Sequence, residues 1–181
     1  MKQDGRKLRG ELQKQKLIAA TLSIIEKEGI AEVTHRKIAN IAVTSASSVV
    51  YYFPTIDDLL YAALVYAAEE YANKFKYIIS KGNNELYGIA EIIAEASGVG
   101  RQRAIAEREL TLQAARRPIL RSAAQHWRKL VAQVALKYSN DPLKIQAFVA
   151  ATDGICAKAL LEETPISTDD VYILLNHILK D

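Results

Sequence analysis

The side chains best placed to do chemistry in this 181-residue chain lie close together, between Thr44 and Tyr52. Serine or threonine fills four of the five positions 44–48, and two adjacent tyrosines follow just before Phe53 and Pro54. A hydroxyl group both donates and accepts hydrogen bonds, and a phenol adds an apolar ring that can pack on its own helix. The cluster therefore suits hydrogen bonding to a polar partner such as a phosphate oxygen or a base edge.

The sequence contains none of the common motifs for catalysis or metal binding. It contains no Gly-x-Ser-x-Gly and no His-Glu-x-x-His, and "SGVGRQ" at 97–102 lacks the Lys-Ser/Thr of a phosphate loop. The three histidines are far apart and share no metal-ligand spacing. A single cysteine, Cys156, excludes an internal disulfide and favours a reducing compartment. We therefore expect no enzyme activity, no metal and no cofactor.

Charge is distributed unevenly along the chain. Residues 1–55 hold nine Lys/Arg against five Asp/Glu, whereas residues 56–181 hold fifteen against sixteen. A basic front and a near-neutral remainder suggest that only the front meets a polyanion, although a solvated N-terminus would look the same. The N-terminus lacks the apolar core of a secretory signal, and no apolar run is long enough for a membrane span. We expect a cytoplasmic protein with no membrane partner.

The elements that must position the hydroxyl cluster are helices, because apolar residues recur almost everywhere at helical spacing. The sequence predicts an all-α protein of about nine helices, at 12–28, 35–42, 46–53, 56–80, 84–97, 101–116, 119–138, 142–162 and 168–180. Thr34, Ser45 and Thr55 are the predicted N-caps of three of these helices.

Two short helices joined by a turn of three or four residues, with a helix before them, form a helix-turn-helix. The second helix of that motif enters the major groove, where side chains at its N-terminal end meet base edges. Five short side chains are available there: Thr44, Ser45, Ala46, Ser47 and Ser48. Tyr51 and Tyr52 lie about 100° apart around the helix, which suggests phosphate contacts instead of a purely core position. Alternatively, the two rings only cover a seam between helices.

The run "VTHRKIANIAVTSASSVVYYFPTIDDLL", residues 33–60, resembles the DNA-binding segment of the tetracycline-repressor (TetR) family of bacterial transcription regulators. The resemblance covers roughly residues 12–80, and a long fourth helix at 56–80 would lead into the remainder. It implies a DNA-binding domain at 1–55 and a ligand-binding and dimerisation domain at 56–181. It also implies that Thr34, His35 and Arg36 lie beside the DNA backbone, that Ala46, Ser47 and Ser48 meet bases and phosphates, that Tyr51 faces the groove and that Tyr52 contacts phosphate.

Three residues depart from the family's pattern. Val43 replaces the usual turn glycine, so we expect a turn without a positive φ. Val50 replaces a tyrosine and Ile56 a lysine, and each change removes a phosphate donor. A basic N-terminal arm could compensate through Lys2, Arg6, Lys7 and Arg9, or could serve only solubility.

The second half of the chain suggests a dimer surface. The segment 142–162 is rich in alanine and glycine, so another helix could approach it closely. In the resembled family the last long helices pair with their two-fold mates, and a dimer places two reading helices one DNA turn apart. We therefore expect a homodimer through about 119–138 and 142–162.

The resemblance also implies a pocket for an unidentified small-molecule effector, bounded by the fourth helix and those after it. The candidate inward side chains are Leu64, Tyr71, Phe75, Ile89, Ile93, Leu110, Gln113 and Trp127. Any one of these residues is alternatively plain core.

Together these patterns predict a ligand-responsive DNA-binding regulator. We expect a repressor that binds a pseudo-palindromic operator as a dimer and is released when a small molecule moves the fourth helix. The main alternative is a helical small-molecule-binding or interaction protein whose helix-turn-helix is vestigial, as the changes at Val50 and Ile56 would suggest.

Overall fold

The computed structural model describes the backbone of residues 2–180 and the side chains of residues 5 and 7–179. Within residues 2–180 the chain is helical and contains no β-strand, which confirms the all-α prediction. The helices are α1 (Lys2–Glu28), α2 (His35–Ile41), α3 (Ala46–Tyr52), α4 (Ile56–Ser80), α5 (Glu85–Ser97), α6 (Arg101–Gln113), α7 (Arg121–Ala124), α8 (His126–Ala135), α9 (Pro142–Leu161) and α10 (Thr168–Lys180). Single 3-10 turns occupy Ile30–Glu32 and Pro118–Leu120.

Capping residues explain where α2, α3 and α4 begin. The hydroxyl oxygens of Thr34 and Ser45 each accept a hydrogen bond from the backbone N–H three residues later, at 3.2 and 3.1 Å. Before α4, Thr55 and Asp58 each accept from the other's backbone N–H, at 3.1 and 3.0 Å. These bonds satisfy donors that a helix N-terminus leaves open, as the sequence predicts for all three caps.

The chain forms two compact units. Unit one consists of residues 1–66 and 106–124. Its core is built by α1–α4, the later part of α6 and the turn that follows, and its fully buried side chains include Leu17, Ile24, Ile38, Val49, Leu60 and Leu110. The buried hydroxyl of Thr21 on α1 donates a hydrogen bond to the Leu17 carbonyl at 2.9 Å. The core therefore contains no unsatisfied donor at this position.

Unit two consists of residues 67–105 and 125–181. Helix α5 packs against α8, α9 and α10, and the core includes Ile89, Ile93, Val131, Phe148, Val171 and Leu175. The guanidinium of Arg101 donates to three carbonyls at the C-terminal end of α9, with N–O distances of 2.7–3.3 Å. Cationic donors at that end satisfy carbonyls that the helix itself leaves open.

Three predicted helix boundaries are wrong. Helix α1 begins at Lys2 and not near residue 12, so the predicted basic arm is helical, and α6 ends at Gln113. The predicted helix 119–138 is divided at Gln125 into α7 and α8. Buried side chains before this break belong to the core of unit one and those after it to unit two. Apolar spacing runs evenly through the break, so the sequence does not reveal it.

The predicted domain boundary between residues 55 and 56 divides the chain by function. In the structure, residues 56–66 and 106–124 belong to unit one together with the first three helices. The functional division at 55/56 stays a prediction.

Candidate functional site

The turn between α2 and α3 has the hydrogen bonds of a Schellman motif. The N–H of Thr44 donates to the carbonyl of Ala39 at 2.9 Å, and that of Val43 donates to Asn40 at 3.3 Å. This pair of bonds requires a left-handed residue after the helix, and Val43 accordingly has a φ of 52°. The prediction of a turn without a positive φ is therefore wrong, because the bonding pattern sets the backbone whatever the side chain.

The outer face of α3 carries short polar side chains and one phenol. Residues 45–47 are exposed, and 78% of the surface of Tyr51 is exposed. On the opposite face, Val49 and Phe53 are buried in the core of unit one. The Ser45 and Ser47 hydroxyl oxygens lie 2.9 Å apart. The predicted reading residues Thr44 and Ser48 are half-buried. The N-terminal end of α3 thus presents small hydroxyl side chains to solvent.

The three residues predicted to lie beside the DNA backbone begin α2. Thr34 and Arg36 are exposed, whereas His35 is half-buried. The Nε2 atom of His35 lies 3.0 Å from the carbonyl oxygen of Phe53, to which its N–H donates. His35 therefore links the start of α2 to the end of α3, a structural role that the sequence does not reveal.

The segment that forms α2 and α3 has no acidic side chain of its own, although Glu28 and Glu32 contact α2. No Asp or Glu occurs from residue 33 to residue 56. Lys37 lies 2.5 Å from a carboxylate oxygen of Glu28 and 2.9 Å from one of Glu32. The Lys37 ammonium donates hydrogen bonds to Glu28 and then to Glu32, and these bonds raise the pKa of Lys37, so the lysine stays charged between the two glutamates. Arg36 remains as the exposed cation of α2.

Tyr52 is half-buried, and its ring meets that of Tyr51 edge to face, with 5.1 Å between centroids. The ring packs on the core of unit one. Its hydroxyl oxygen lies beside α1, where a Cβ added to Gly10 would be 3.9 Å away. No sequence pattern pairs Gly10 with Tyr52, so this proximity is found only in the folded unit.

The predicted N-terminal arm forms the first turns of α1. Lys7 and Arg9 are exposed, and the Arg9 guanidinium donates to the carbonyl of Gly5 at 3.1 Å. The side chains of Lys2 and Arg6 lie outside the described residues.

The later part of α6 and the segment after it make polar contacts with the elements that flank the helix-turn-helix. An oxygen of Glu109 accepts from the backbone N–H of Ile30 at 2.9 Å, in the turn after α1. Arg117 forms an ion pair with Asp57 in the first turn of α4. Both contacts lie within unit one, and neither could be read from sequence spacing.

The predicted ligand side chains are divided between the two units. Leu64 and Leu110 are buried in the core of unit one, where Gln113 is half-buried. Ile89 and Ile93 are buried in the core of unit two. The other three belong to unit two as well: the rings of Tyr71 and Trp127 lie 5.8 Å apart, and Phe75 lines a cavity. Whether these residues contact a ligand stays a prediction.

That cavity, of about 600 Å³, lies between the end of α4, the start of α5 and α8. Its apolar wall consists of Ala72, Phe75, Ile79, Leu130 and Val134. Its polar residues are Lys76, Ser80, Glu85, Gln133 and Lys137. Apart from Phe75, sequence analysis missed this set, because helical periodicity marks an inward face without saying whether it meets a core or a cavity.

Glu85 at the start of α5 pairs with Lys137 in the turn after α8, with 2.5 Å between carboxylate oxygen and ammonium nitrogen. The hydrogen bond from Lys137 lowers the pKa of Glu85, and the same bond raises the pKa of Lys137. Both groups therefore carry their charges at neutral pH.

Across the described part of the chain, no group of three or more His, Cys, Asp or Glu side chains is arranged to hold a metal ion. None of the described helices combines the length and apolarity needed to cross a membrane.

Comparison with known proteins relates both halves of the chain to one family. Residues 17–63 match the family model described as bacterial regulatory proteins, tetR family. Residues 87–181 match that of the tetracyclin repressor-like C-terminal domain. No curated protein matches the chain.

Solved structures agree with these matches. The multidrug binding protein EbrR complexed with ethidium is 32% identical, with a TM-score of 0.79 over 93% of this chain and 99% of that one. SCO1917, a TetR-family member from Streptomyces coelicolor A3, is 32% identical, with a TM-score of 0.80 over the same shares. These relations, together with the helix-turn-helix of unit one, indicate a regulator and not an enzyme. The chain belongs to the TetR family of ligand-responsive, DNA-binding transcriptional regulators.

Proposed function

We propose that the protein is a cytoplasmic repressor that binds a pseudo-palindromic operator as a homodimer and leaves it when a small molecule binds. The observation that carries this proposal is the outer face of α3. Ser45, Ser47 and Tyr51 are exposed there, within a stretch, residues 33–56, that has no acidic side chain. Such a surface can approach phosphates without repulsion, and its hydroxyl groups can bond to base edges.

We assign base reading to the N-terminal end of α3. Ala46 and Ser47 are exposed and short, so the helix can come close to the groove floor. Thr44, Ser45 and Ser48 adjoin them, and Tyr51 extends from the same face.

We assign phosphate contacts to residues at the edges of the outer face of α3. Thr34 and Arg36 are exposed at the start of α2, and the Tyr52 hydroxyl has no hydrogen-bond partner among the described residues. His35 donates a hydrogen bond to the end of α3 and so fixes the position of α2 relative to α3.

The homodimer is supported by an exposed apolar stripe on α9. Five exposed residues follow one another at helical spacing along this helix: Leu143, Ala147, Ala150, Gly154 and Leu161. A Cβ added to Gly154 would meet nothing within 4 Å, so the stripe offers room for another helix. Apolar faces of this length on a helix surface mark interaction sites.

Helix α10, which packs against α9, also exposes apolar side chains. Its Ile173 and Leu174 are 62% and 46% exposed. The segment 119–138 is a weaker candidate, since the exposed side chains of α8 include His126, Arg128, Lys129 and Gln133. We therefore propose that the dimer interface is formed by α9, which is the predicted segment 142–162, and by α10 in place of 119–138.

Release by a small molecule is supported by α4. This helix begins three residues after Phe53, close to the reading helix, and its last turns line the cavity of unit two. A ligand in the cavity would bias the position of α4 and hence the separation of the two readers. The coupling free energy of such systems is typically about 1–3 kcal/mol. The related EbrR is a multidrug binding protein complexed with ethidium, malachite green or proflavin, which supports a small-molecule effector for this chain.

The alternative is a helical small-molecule-binding protein that no longer reads DNA. Val50 is 44% exposed on the outer face of α3, where the family's usual tyrosine would supply a phosphate donor. Ile56, at the start of α4, lacks the charge of the family's usual lysine. Both changes reduce DNA contacts, so the alternative predicts weak binding to every duplex.

The two functions are separated by selecting duplexes from a random library at two salt concentrations. A repressor recovers a two-fold symmetric site, with half-site centres about 34–36 Å apart, whose binding weakens as salt increases. A vestigial helix-turn-helix recovers no site at low salt.

Two variants then test the residue roles. Ser47→Ala should change the preferred base at one position of each half-site, whereas Tyr52→Phe should weaken specific and nonspecific binding about equally. A uniform loss for Ser47→Ala, or a loss at one base position for Tyr52→Phe, contradicts the assigned role.

A further inference from the structure

We propose that the cavity of unit two binds an amphipathic organic anion, with an apolar body and a carboxylate or similar acidic head. The inference rests on the proposed function and deepens it by naming the chemical class of the effector. It is carried by three observations on this cavity: its apolar wall, the net charge of its polar residues and the glycine that shapes it.

The wall determines what the body of the ligand must be. Phe75 and Ile79 on α4 and Leu130 and Val134 on α8 line the cavity. A volume of about 600 Å³ is in the range of sites that hold small organic molecules. Burying apolar ligand surface against such side chains is favourable by roughly 25 cal/mol per Å². A small inorganic ion would gain nothing from this wall.

The polar residues determine the head group. Two lysines, Lys76 and Lys137, and one carboxylate, Glu85, give the cavity a net charge of +1. Lys137 is paired with Glu85, whereas Lys76 forms no ion pair with any described residue. An anionic head can therefore bind at Lys76, and share Lys137, without breaking the existing pair. Ser80 and Gln133 add neutral hydrogen-bonding groups.

A cationic head is disfavoured by the same arrangement. It would have to replace Lys137 beside Glu85, and it would approach Lys76, whose charge repels it. The Lys137 hydrogen bond lowers the pKa of Glu85 and raises that of Lys137, so neither partner loses its charge near neutral pH.

Gly88 on α5 allows the wall to take its present form. A Cβ added there would lie 3.1 Å from both Ile79 Cδ1 and Phe75 Cε2. Both side chains line the cavity, so a larger residue at position 88 would push them into the space that the ligand needs.

The test uses two ligands that share a tail and differ in head charge: dodecanoate and dodecyltrimethylammonium. Calorimetric titration of the full-length protein without DNA should show dodecanoate binding about tenfold more tightly. Equal affinity, a preference for the cation, or no dodecanoate binding below its micellar concentration overturns the proposal.

Charge reversal at the head-group position gives a second readout. Lys76→Glu should weaken dodecanoate binding by about tenfold and reduce or invert the preference between the two head groups. The control is Lys129→Glu, the same charge change at an exposed position on α8 that does not line the cavity. Equal effects of the two variants would indicate long-range charge and overturn the assignment to Lys76.

Filling the cavity tests the location. Ala72→Phe should abolish dodecanoate binding, and Ser80→Trp, at an exposed position on the rim, should weaken it at least about fivefold without disturbing the core. Dodecanoate binding of unchanged affinity in a folded Ser80→Trp variant overturns the site. Operator binding is measured separately, so its absence would contradict the proposed function and not the chemical class of the ligand.

Discussion

At the scale of single residues, Val43 has a backbone conformation that its β-branched side chain disfavours. Its φ of 52° suits glycine or asparagine, whereas a β-branched side chain is strained in that region. The side chain is 91% exposed, so packing does not compensate for the strain. The strain lies in the turn that sets the position of α3 relative to α2.

Replacing Val43 by glycine should therefore stabilise the protein. Relief of about 1–2 kcal/mol of left-handed strain exceeds the roughly 0.5–1 kcal/mol that glycine costs through the unfolded chain. A net gain of about 0.5–1 kcal/mol follows from these two terms and should raise the urea midpoint. Ala42→Gly is the control, because its φ of −78° needs no glycine and the midpoint should fall. An unchanged or lower midpoint for Val43→Gly would show that the turn is unstrained.

The Glu85–Lys137 pair makes a prediction about pH. Lys137 lowers the pKa of Glu85 in the folded state. When the pH lies between this lowered pKa and the ordinary pKa of glutamate in the unfolded chain, unfolding takes up a proton. The stability from this pair is present above the ordinary glutamate pKa and is lost as pH falls through the lowered one. Lys137→Gln should thus lower the melting temperature at pH 7 but not at the acid end, whereas Lys129→Gln changes it little at either. A difference that persists unchanged in strong acid would rule out this linkage.

At the scale of elements, the first turns of α1 contain the basic N-terminal arm that the charge pattern suggested. Deleting residues 1–9 removes four cations, Lys2, Arg6, Lys7 and Arg9. Each phosphate contact contributes about 0.9 to the slope of log affinity against log salt concentration, so the slope should flatten by up to about 3.6. Binding measured by fluorescence anisotropy at four salt concentrations gives the slope. If the full-length and truncated chains have the same slope, α1 lies outside the interface.

The contact between α6 and the turn after α1 makes a separate prediction. Glu109→Ala removes the acceptor of the Ile30 N–H, which is part-buried, and should cost about 1–2 kcal/mol of unfolding free energy. Glu109→Gln keeps an acceptor oxygen and should cost less. The order of the two variants in urea unfolding is the test. Equal losses would mean that the carboxylate charge, and not the hydrogen bond, carries the effect.

At the scale of the whole molecule, dimerisation and DNA binding should fail together. Gly154→Arg places a charged side chain in the middle of the exposed apolar stripe of α9, at a position with open space around it within the monomer. The fold should survive while the species in analytical ultracentrifugation falls from a dimer to the 20.1 kDa monomer. Affinity for a two-fold symmetric duplex should fall with it. Asn83→Arg, in the exposed turn before α5, is the control and should stay dimeric.

The sequence by itself determined the helical class, the caps of α2, α3 and α4, and the family. These properties are local: capping needs a hydroxyl three residues before a donor, and amphipathic helices repeat every 3.6 residues. The exposed face of α3 follows for the same reason, because Val49 and Phe53 are buried once the helix forms and Ser45 and Ser47 then lie outside.

Tertiary structure decided what depends on contacts between distant segments. The break at Gln125 arises because its two sides are buried in different cores, and the positive φ of Val43 arises from hydrogen bonds that close the turn. The cavity of unit two brings Lys76 near Lys137, sixty-one residues further along the chain, and no spacing rule connects them. Periodicity gives the inward face of each helix, but only packing decides whether that face meets another side chain or an open cavity.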